Sequence, residues 1–230
     1  MAMADEHHNL SSSVQDYLKA IHRLQEKGAR ATTQKLAAAL GTSAAAASKM
    51  VRHLSDRGLV SLRPYHGFIL TESGSTAALQ ILRHHRLIET WLCRAMGFSW
   101  DEVHEEAERL EHHISERLEE RIAALLGDPM FDPHGHPIPS RDGSVRSRLG
   151  KPLAACADGE SAVVQYVDDS CPALLRRLEQ AGIFPGGQVR ILRGGADGPI
   201  TMQTPAGAVD LTLAEAGLIF AESGCGGEKK

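Results

Sequence analysis

The stretch "TTQKLAAALGTSAAAASKMVRHLSDRGLV" constrains this chain more than any other. A short run of helix formers ends near Leu40, Gly41 supplies a turn, and Thr42 or Ser43 offers an oxygen to cap a second helix. On that second helix Met50, Val51 and Leu54 share one side, and Gly58 stops it. Two short helices joined by a glycine turn make a helix-turn-helix. The next stretch, "LVSLRPYHGFILTESG", holds two strand-like runs, Leu59 to Arg63 and Phe68 to Thr71, joined by Pro-Tyr-His-Gly. A hairpin directly after the second helix predicts a winged helix. Helix pairs of this kind also serve as plain packing units, but Lys49, Arg52, Arg57 and Arg63 fall on this segment, which suits a DNA backbone.

Upstream, Ser13 followed by Asp16 reads as an N-cap with an acidic third position, and Val14, Leu18, Ile21 and Leu24 then form an apolar stripe ending near Gly28. Downstream, a long helix from Ser75 to Met96 carries Ala78, Ile81, Leu82, Ile88 and Leu92. Another, from Asp101 to Leu126, carries Val103, Ala107, Leu110, Ile114, Leu118 and Leu125. Little else in the middle of the chain covers two such faces, so a homodimer is predicted, and a twofold dimer suits a palindromic operator. "GDPMFDPHGHPIPSRDGSVRSRLG" reads as a loop, with His134 and His136 expected as turn and packing residues. Beyond it, "ESAVVQYV", "QVRILRG", "PITMQTP", "AVDLTL" and "LIFAES" are strand-like, with one amphipathic helix at "CPALLRRLEQAG". That texture predicts a small β-barrel.

Charge is unevenly placed. Residues 1 to 76 carry nine Lys/Arg against six Asp/Glu, whereas 101 to 120 carry nine acids against two arginines, so one end suits a polyanion and the middle suits cations. With 42% hydrophobic and 23% charged residues, no apolar leader and no long apolar run, the chain reads as cytoplasmic with no membrane role. The cysteines at 93, 156, 171 and 225 include no CxxC pair and are expected as unpaired thiols.

Within the acidic segment, "EAERLEHH" sets Glu108, Glu111 and His112 on one helical face, with His104 one turn earlier. Glutamate-rich helix faces are ordinarily solvated and paired with arginines. This stripe, however, lies only about 100° from the apolar seam, where neighbouring helices can add ligands. His85 and Glu89 form an i,i+4 pair on the preceding helix. Among Ile81, Leu82 and Ile88 a single histidine would be core, but Glu89 and His104 can complete a set. Asp16, in its plainer role a helix-capping residue, can reach Glu108, Glu111 and His112. Carboxylates with imidazoles suit Mn(II) or Fe(II) better than thiolate sets do, although other divalent metals bind such sites in vitro. A metallohydrolase would use similar ligands. It leaves the winged helix unexplained, and no catalytic residue is assigned.

The chain resembles the diphtheria toxin repressor family of metal-dependent regulators, and within it the manganese transport regulators. The resemblance rests on "SKMVRHL", "YHGFILTESG", "RHHRLIE", "DEVHEEAERLEHHISERLEERI" and "DPHGHPIP", and covers nearly the whole length. It implies a mainly α chain with small β parts: a winged helix-turn-helix over 1–76, a helical metal-binding and dimerisation domain over 77–146, a linker over 147–160 and an SH3-like, FeoA-like β-barrel over 161–230. It further implies a primary metal site of Asp16, Glu108, Glu111 and His112 and an ancillary site of His85, Glu89 and His104, with Asp168 or Asp169 as neighbouring candidates. Iron-sensing relatives carry Met and Cys at the positions of Asp16 and Glu108, so Mn(II) is the implied effector and Fe(II) the alternative. The implied DNA contacts are Ser43, Ala45, Ala46, Ser48, Lys49, Arg52 and, on the wing, His66. The implied function is a repressor of metal-homeostasis genes, without nucleotide cofactor, ordered by metal for operator binding. Two features depart from the pattern. Lys19 stands where a binuclear manganese sensor carries a second carboxylate, and alanines at 44 to 47 replace Pro, Ser or Thr.

Overall fold

The computed structural model describes residues 10–26, 28–63, 67–147, 149–194 and 198–224. These divide into two units: residues up to 84 with 111–113 and 139–144, and residues 85–110, 114–138 and 145 onward.

The first unit contains α1 (Ser12–Glu26), α2 (Thr33–Ala39), α3 (Ala44–Asp56), β1 (Val60–Arg63), β2 (Gly67–Leu70) and the first half of α4 (Glu72–Met96). Thr32 caps α2 by accepting the Lys35 N–H, and Ser43 caps α3 by accepting the Ala46 N–H. Gly41, at φ 60°, makes the left-handed turn between them. The core joins all three helices through Leu18, Ile21, Leu36, Val51 and Leu54, and Phe68 ties in the wing. β1 and β2 pair antiparallel from Val60 opposite Leu70 to Arg63 opposite Gly67. This is the winged helix-turn-helix that the helix and turn signals predict. Ser13 does not cap α1, because the chain enters the helix earlier: the Gln15 N–H already donates to Ser11 O.

The second unit holds the rest of α4, then α5 (Val103–Leu110) and α6 (Glu116–Leu125). The expected single helix from 101 to 126 is therefore interrupted. Ser115 starts α6 with its own cap, accepting the Leu118 N–H. The new helix takes a new phase, so Glu119, Ile122 and Ala123 are buried while Leu118 and Leu125 are 47% and 71% exposed. The α4 stripe is covered within the chain: Ile88 and Leu92 pack with Val103 and Ala107, and Leu87 packs with Ile122, Ala123 and Ile138. Among the described residues the exposed leucines of this segment, Leu118 and Leu125, are on α6.

The C-terminal strands are β3 (Lys151–Pro152), β4 (Ser161–Val167), β5 (Gln188–Arg193), β6 (Ile200–Thr204), β7 (Gly207–Leu211) and β8 (Ile219–Ser223). They form one antiparallel sheet in the order β3-β8-β4-β5-β6-β7, with α7 (Pro172–Gln180) burying Leu174, Leu175 and Leu178 in the same core as Val164, Ile191 and Met202. The expected SH3-like barrel is not closed. Its end strands β3 and β7 have one neighbour each, and β3 is two residues long, one of them a proline without an N–H to donate. No helix among the described residues is long and apolar enough to cross a membrane.

Candidate metal centres

In the first unit, Asp16 of α1 meets the link that follows α5. His112 Nε2 lies 2.9 Å from Asp16 Oδ1 and 3.5 Å from Glu111 Oε1. Gln15 Oε1 lies 2.8 Å from His112 Nδ1, so a proton donated there leaves Nε2 facing the carboxylates. Glu111 is buried, and Lys19 Nζ lies 2.5 Å from its Oε1. The hydrogen bond to Asp16 raises the basicity of His112; burial opposes this, and the negative charge of Glu111 adds to it. Asp16, Glu111 and His112 each bring a donor atom within 4.8 Å of the other two.

A second group lies in the other unit, where His85 and Glu89 project from α4 and His104 from α5. His85 Nε2 is 2.9 Å from Glu89 Oε1, His104 Nδ1 is 3.1 Å from the same oxygen, and the two ring nitrogens are 3.1 Å apart. Donor atoms bound at roughly 2.1 Å to one ion stand about 3 Å from one another, so this triangle has the dimensions of a ligand set. Glu108, implied as a primary ligand, lies in this unit, 3.6 Å from His104 Nε2 and 3.9 Å from His85 Nδ1. Asp169 Oδ2 is 3.8 Å from His104 Nδ1, whereas Asp168 uses Oδ1 to accept the Ser170 N–H. Burial alone would raise the Glu89 carboxyl, but the His85 charge and hydrogen bonds from His104 and His85 hold it well below the ordinary carboxylate range.

The "DPHGHPIP" loop buries both of its histidines beside Asp132. Asp132 Oδ1 accepts the N–H groups of His134 and His136, each at 2.9 Å, and Oδ2 lies 3.3 Å from His136 Nδ1. His134 is fully buried with Nε2 3.1 Å from Trp100 O, and its Nδ1 has no hydrogen-bond partner. His134 forms a donor group with Glu89 and Asp169, and Asp132, His134 and His136 form another. Burial disfavours the charged form of His134, yet Glu89, Asp132 and Asp169 together raise its basicity. The carboxylates around it are negative charge that a cation would offset. Gly135 makes the loop possible: at φ 88° an added Cβ would stand 2.2 Å from Gln165 O on β4. The sequence signal for this group was the spacing of Asp132, His134 and His136 at every second residue.

On α3, Ala45, Ala46, Lys49 and Arg52 are exposed. Ser43 is engaged as the cap, and Ser48 Oγ accepts from Arg52 Nη2 at 3.3 Å. His66 lies outside the described residues. The free thiols Cys93, Cys156 and Cys171 join none of the donor groups.

Residues 9–68 match the iron dependent repressor N-terminal DNA binding domain, 71–140 the iron dependent repressor metal binding and dimerisation domain, and 151–223 the FeoA domain. The iron-dependent repressor IdeR of Mycobacterium tuberculosis is 30% identical over 220 residues, covering 89% of this chain and 90% of its own length. The chain belongs to the diphtheria toxin repressor family. As a member of that family it is a metal-dependent, DNA-binding transcription regulator and not an enzyme. Among solved family structures, a manganese-dependent transcriptional repressor in complex with manganese superposes with a TM-score of 0.84 at 41% identity, covering 91% of this chain and 99% of that one. The manganese regulator SloR superposes with a TM-score of 0.73 at 32% identity, covering 92% and 98%. The donor groups fit the family's divalent transition-metal ion: they are carboxylate and imidazole, closely spaced, and include an orphaned buried nitrogen.

Proposed function

We propose that this chain is a Mn(II)-activated repressor that acts in the cytoplasm, binds a palindromic operator as a homodimer and controls metal-homeostasis genes. The observation that carries the manganese reading is a first donor group of two carboxylates and one imidazole, Asp16, Glu111 and His112, with no sulfur ligand. The likeness to a repressor solved with manganese supports it. Asp16, Glu111 and His112 would hold one ion. His85, Glu89 and His104, with Asp169, would hold another, and His134 extends that group. The family resemblance assigns Glu108 to the first group, and its distances to His104 and His85 favour the second. Metal counting on Glu108→Ala, set beside Asp16→Ala and His85→Ala, separates these assignments: the ion it loses is the one lost in Asp16→Ala or the one lost in His85→Ala.

A bound divalent ion supplies the positive charge that offsets these carboxylates. Asp16 belongs to α1, whose Leu18 and Ile21 share a core with Leu36 of α2 and Leu54 of α3. Fixing Glu111 and His112 against Asp16 therefore fixes them to the DNA-reading module. A ligand that prefers this fastened arrangement shifts its population, and such couplings run to roughly 1 to 3 kcal/mol, about 5- to 150-fold in affinity. On α3, Ala45 and Ala46 present methyl groups to thymine methyls in the major groove, Ser43 and Ser48 flank them, and Lys49 and Arg52 contact phosphates. Leu118 and Leu125, exposed seven residues apart on α6, supply the dimer surface.

The test is selection of genomic DNA fragments by metal-stripped protein, run without metal, with Mn(II), and with Fe(II) under anaerobic conditions. Enrichment of one palindrome by Mn(II) far above Fe(II) is expected. Equal enrichment in all three arms sinks the metal switch, and stronger enrichment by Fe(II) makes the chain an iron sensor. Lys49→Ala should weaken binding and lower the salt slope by about one.

A further inference from the structure

Lys19 follows Asp16 by one helical turn on α1 and is only 4% exposed. Its Nζ stands 2.5 Å from Glu111 Oε1, the same atom that lies 3.5 Å from His112 Nε2. The ammonium therefore sits on the Glu111 oxygen that faces His112, one of the two through which this carboxylate can hold a cation. Burial keeps the pair from being screened by salt. With Lys19 the charges of Asp16, Glu111 and Lys19 sum to −1; without it they sum to −2.

We propose that Lys19 is a resident cation that competes with the metal ion for Glu111 and so lowers the affinity of the first site. In the metal-free protein its ammonium holds the buried carboxylate in place. For the ion to bind, Lys19 must yield that oxygen and then remain beside a like charge. The four-carbon stem allows this, because the ammonium can swing away while the stem keeps its packing. Metal-free stability and metal affinity are thereby set against each other through one side chain. The metal concentration at which the protein responds is higher than two carboxylates and an imidazole alone would give. The inference rests on Asp16, Glu111 and His112 being a metal site.

The test uses metal-stripped full-length protein and Mn(II), with binding followed by calorimetry and the thermal midpoint read with and without the ion. Lys19→Met keeps the stem and removes the charge; Lys19→Gln is the second variant, should Met fold poorly. Either should bind Mn(II) at the first site at least about tenfold tighter, the scale on which a neighbouring charge shifts carboxylate ionisation. The midpoint should fall without metal and rise further with it, and Lys19→Arg should keep the wild-type affinity. Unchanged or weaker binding in both neutral variants overturns the proposal and makes Lys19 a support that orients Glu111. Asp16→Ala is the separate control. If it leaves both classes of bound Mn(II) intact, the site reading itself fails; if it removes one class while the Lys19 variants bind no tighter, only the competition fails.

Discussion

Asp16, Glu111 and His112 in the first unit and Glu89 with its histidines in the second both bury carboxylate, but they neutralise it by different means. Glu111 has a lysine ammonium at 2.5 Å. Glu89 has imidazoles, with His85 at 2.9 Å and His104 at 3.1 Å, and His134 in its donor group. An ammonium carries its charge with or without metal, whereas an imidazole gains charge by taking a proton and loses that option when it takes an ion. Glu111 thus keeps a fixed countercharge in the absence of metal, whereas Glu89 depends on what its histidines hold.

The largest test of this contrast is Glu89→Ala, which leaves His85, His104 and His134 around a missing carboxylate. Urea unfolding should show a loss of roughly 3 to 5 kcal/mol in the metal-free protein, the scale for removing one member of a buried charged cluster. Metal counting should show the second class of ion gone and the first retained. Next is Gly135→Ala, whose Cβ would meet Gln165 O at 2.2 Å on a backbone of φ 88°. A loss of roughly 2 kcal/mol is expected from strain and displacement of the loop, with weaker binding at the His134 group and none of that loss at the Asp16 group.

Smaller still is a pH effect. His112 and His134 are both more basic than an ordinary histidine, at 6.5, so their stabilisation is complete below that value and is lost as pH rises through their raised values. Glu89 runs the other way: its contribution is present above 4.5 and is lost as pH falls through its depressed value. Chelator-treated protein should therefore be most stable in the band between these limits and weaken above it. Saturating Mn(II) should flatten the alkaline side, because ions replace the protons. A flat profile without metal would mean that the imidazoles do not carry the balance. The smallest effect belongs to a half-buried counterpart, Glu160, which Lys151 at 2.8 Å and hydrogen bonds from Ala157 N–H and Ser223 hold at a pKa of about 2. Glu160→Gln should cost at most about 1 kcal/mol near neutral pH. The wild-type contribution should fade only as pH drops from the carboxylate range toward 2.

The parts legible in the sequence were those fixed by neighbours along the chain. Thr32, Gly41 and Ser43 mark the helix-turn-helix, and the strand-like runs became β4 to β8 because alternation and turn residues are local signals. The interruption after Leu110 was hidden because "EAERLEHHISERLEERI" keeps helical spacing throughout; the cap at Ser115 was the one local cue. Sheet closure was not legible, because whether β3 meets β7 depends on residues far apart in the chain. The neighbours of His134 were not legible for a similar reason: its placement depends on a glycine loop pressed against β4, and only the fold puts Glu89 and Asp169 near its ring. Asp16, His85, Glu89, His104, Glu111 and His112 all face other donors, although Glu111 and His112 do so from a link and not from a helical face.

That link has an evolutionary consequence. In one continuous helix, adding or removing a residue at 111–114 would turn everything beyond it by about 100° and drive Ile122 and Ala123 out of the core. Because α6 starts afresh on Ser115, a change of length there leaves the register of α6 alone. Sensor chemistry can drift in those few positions while the scaffold behind it is inherited unchanged.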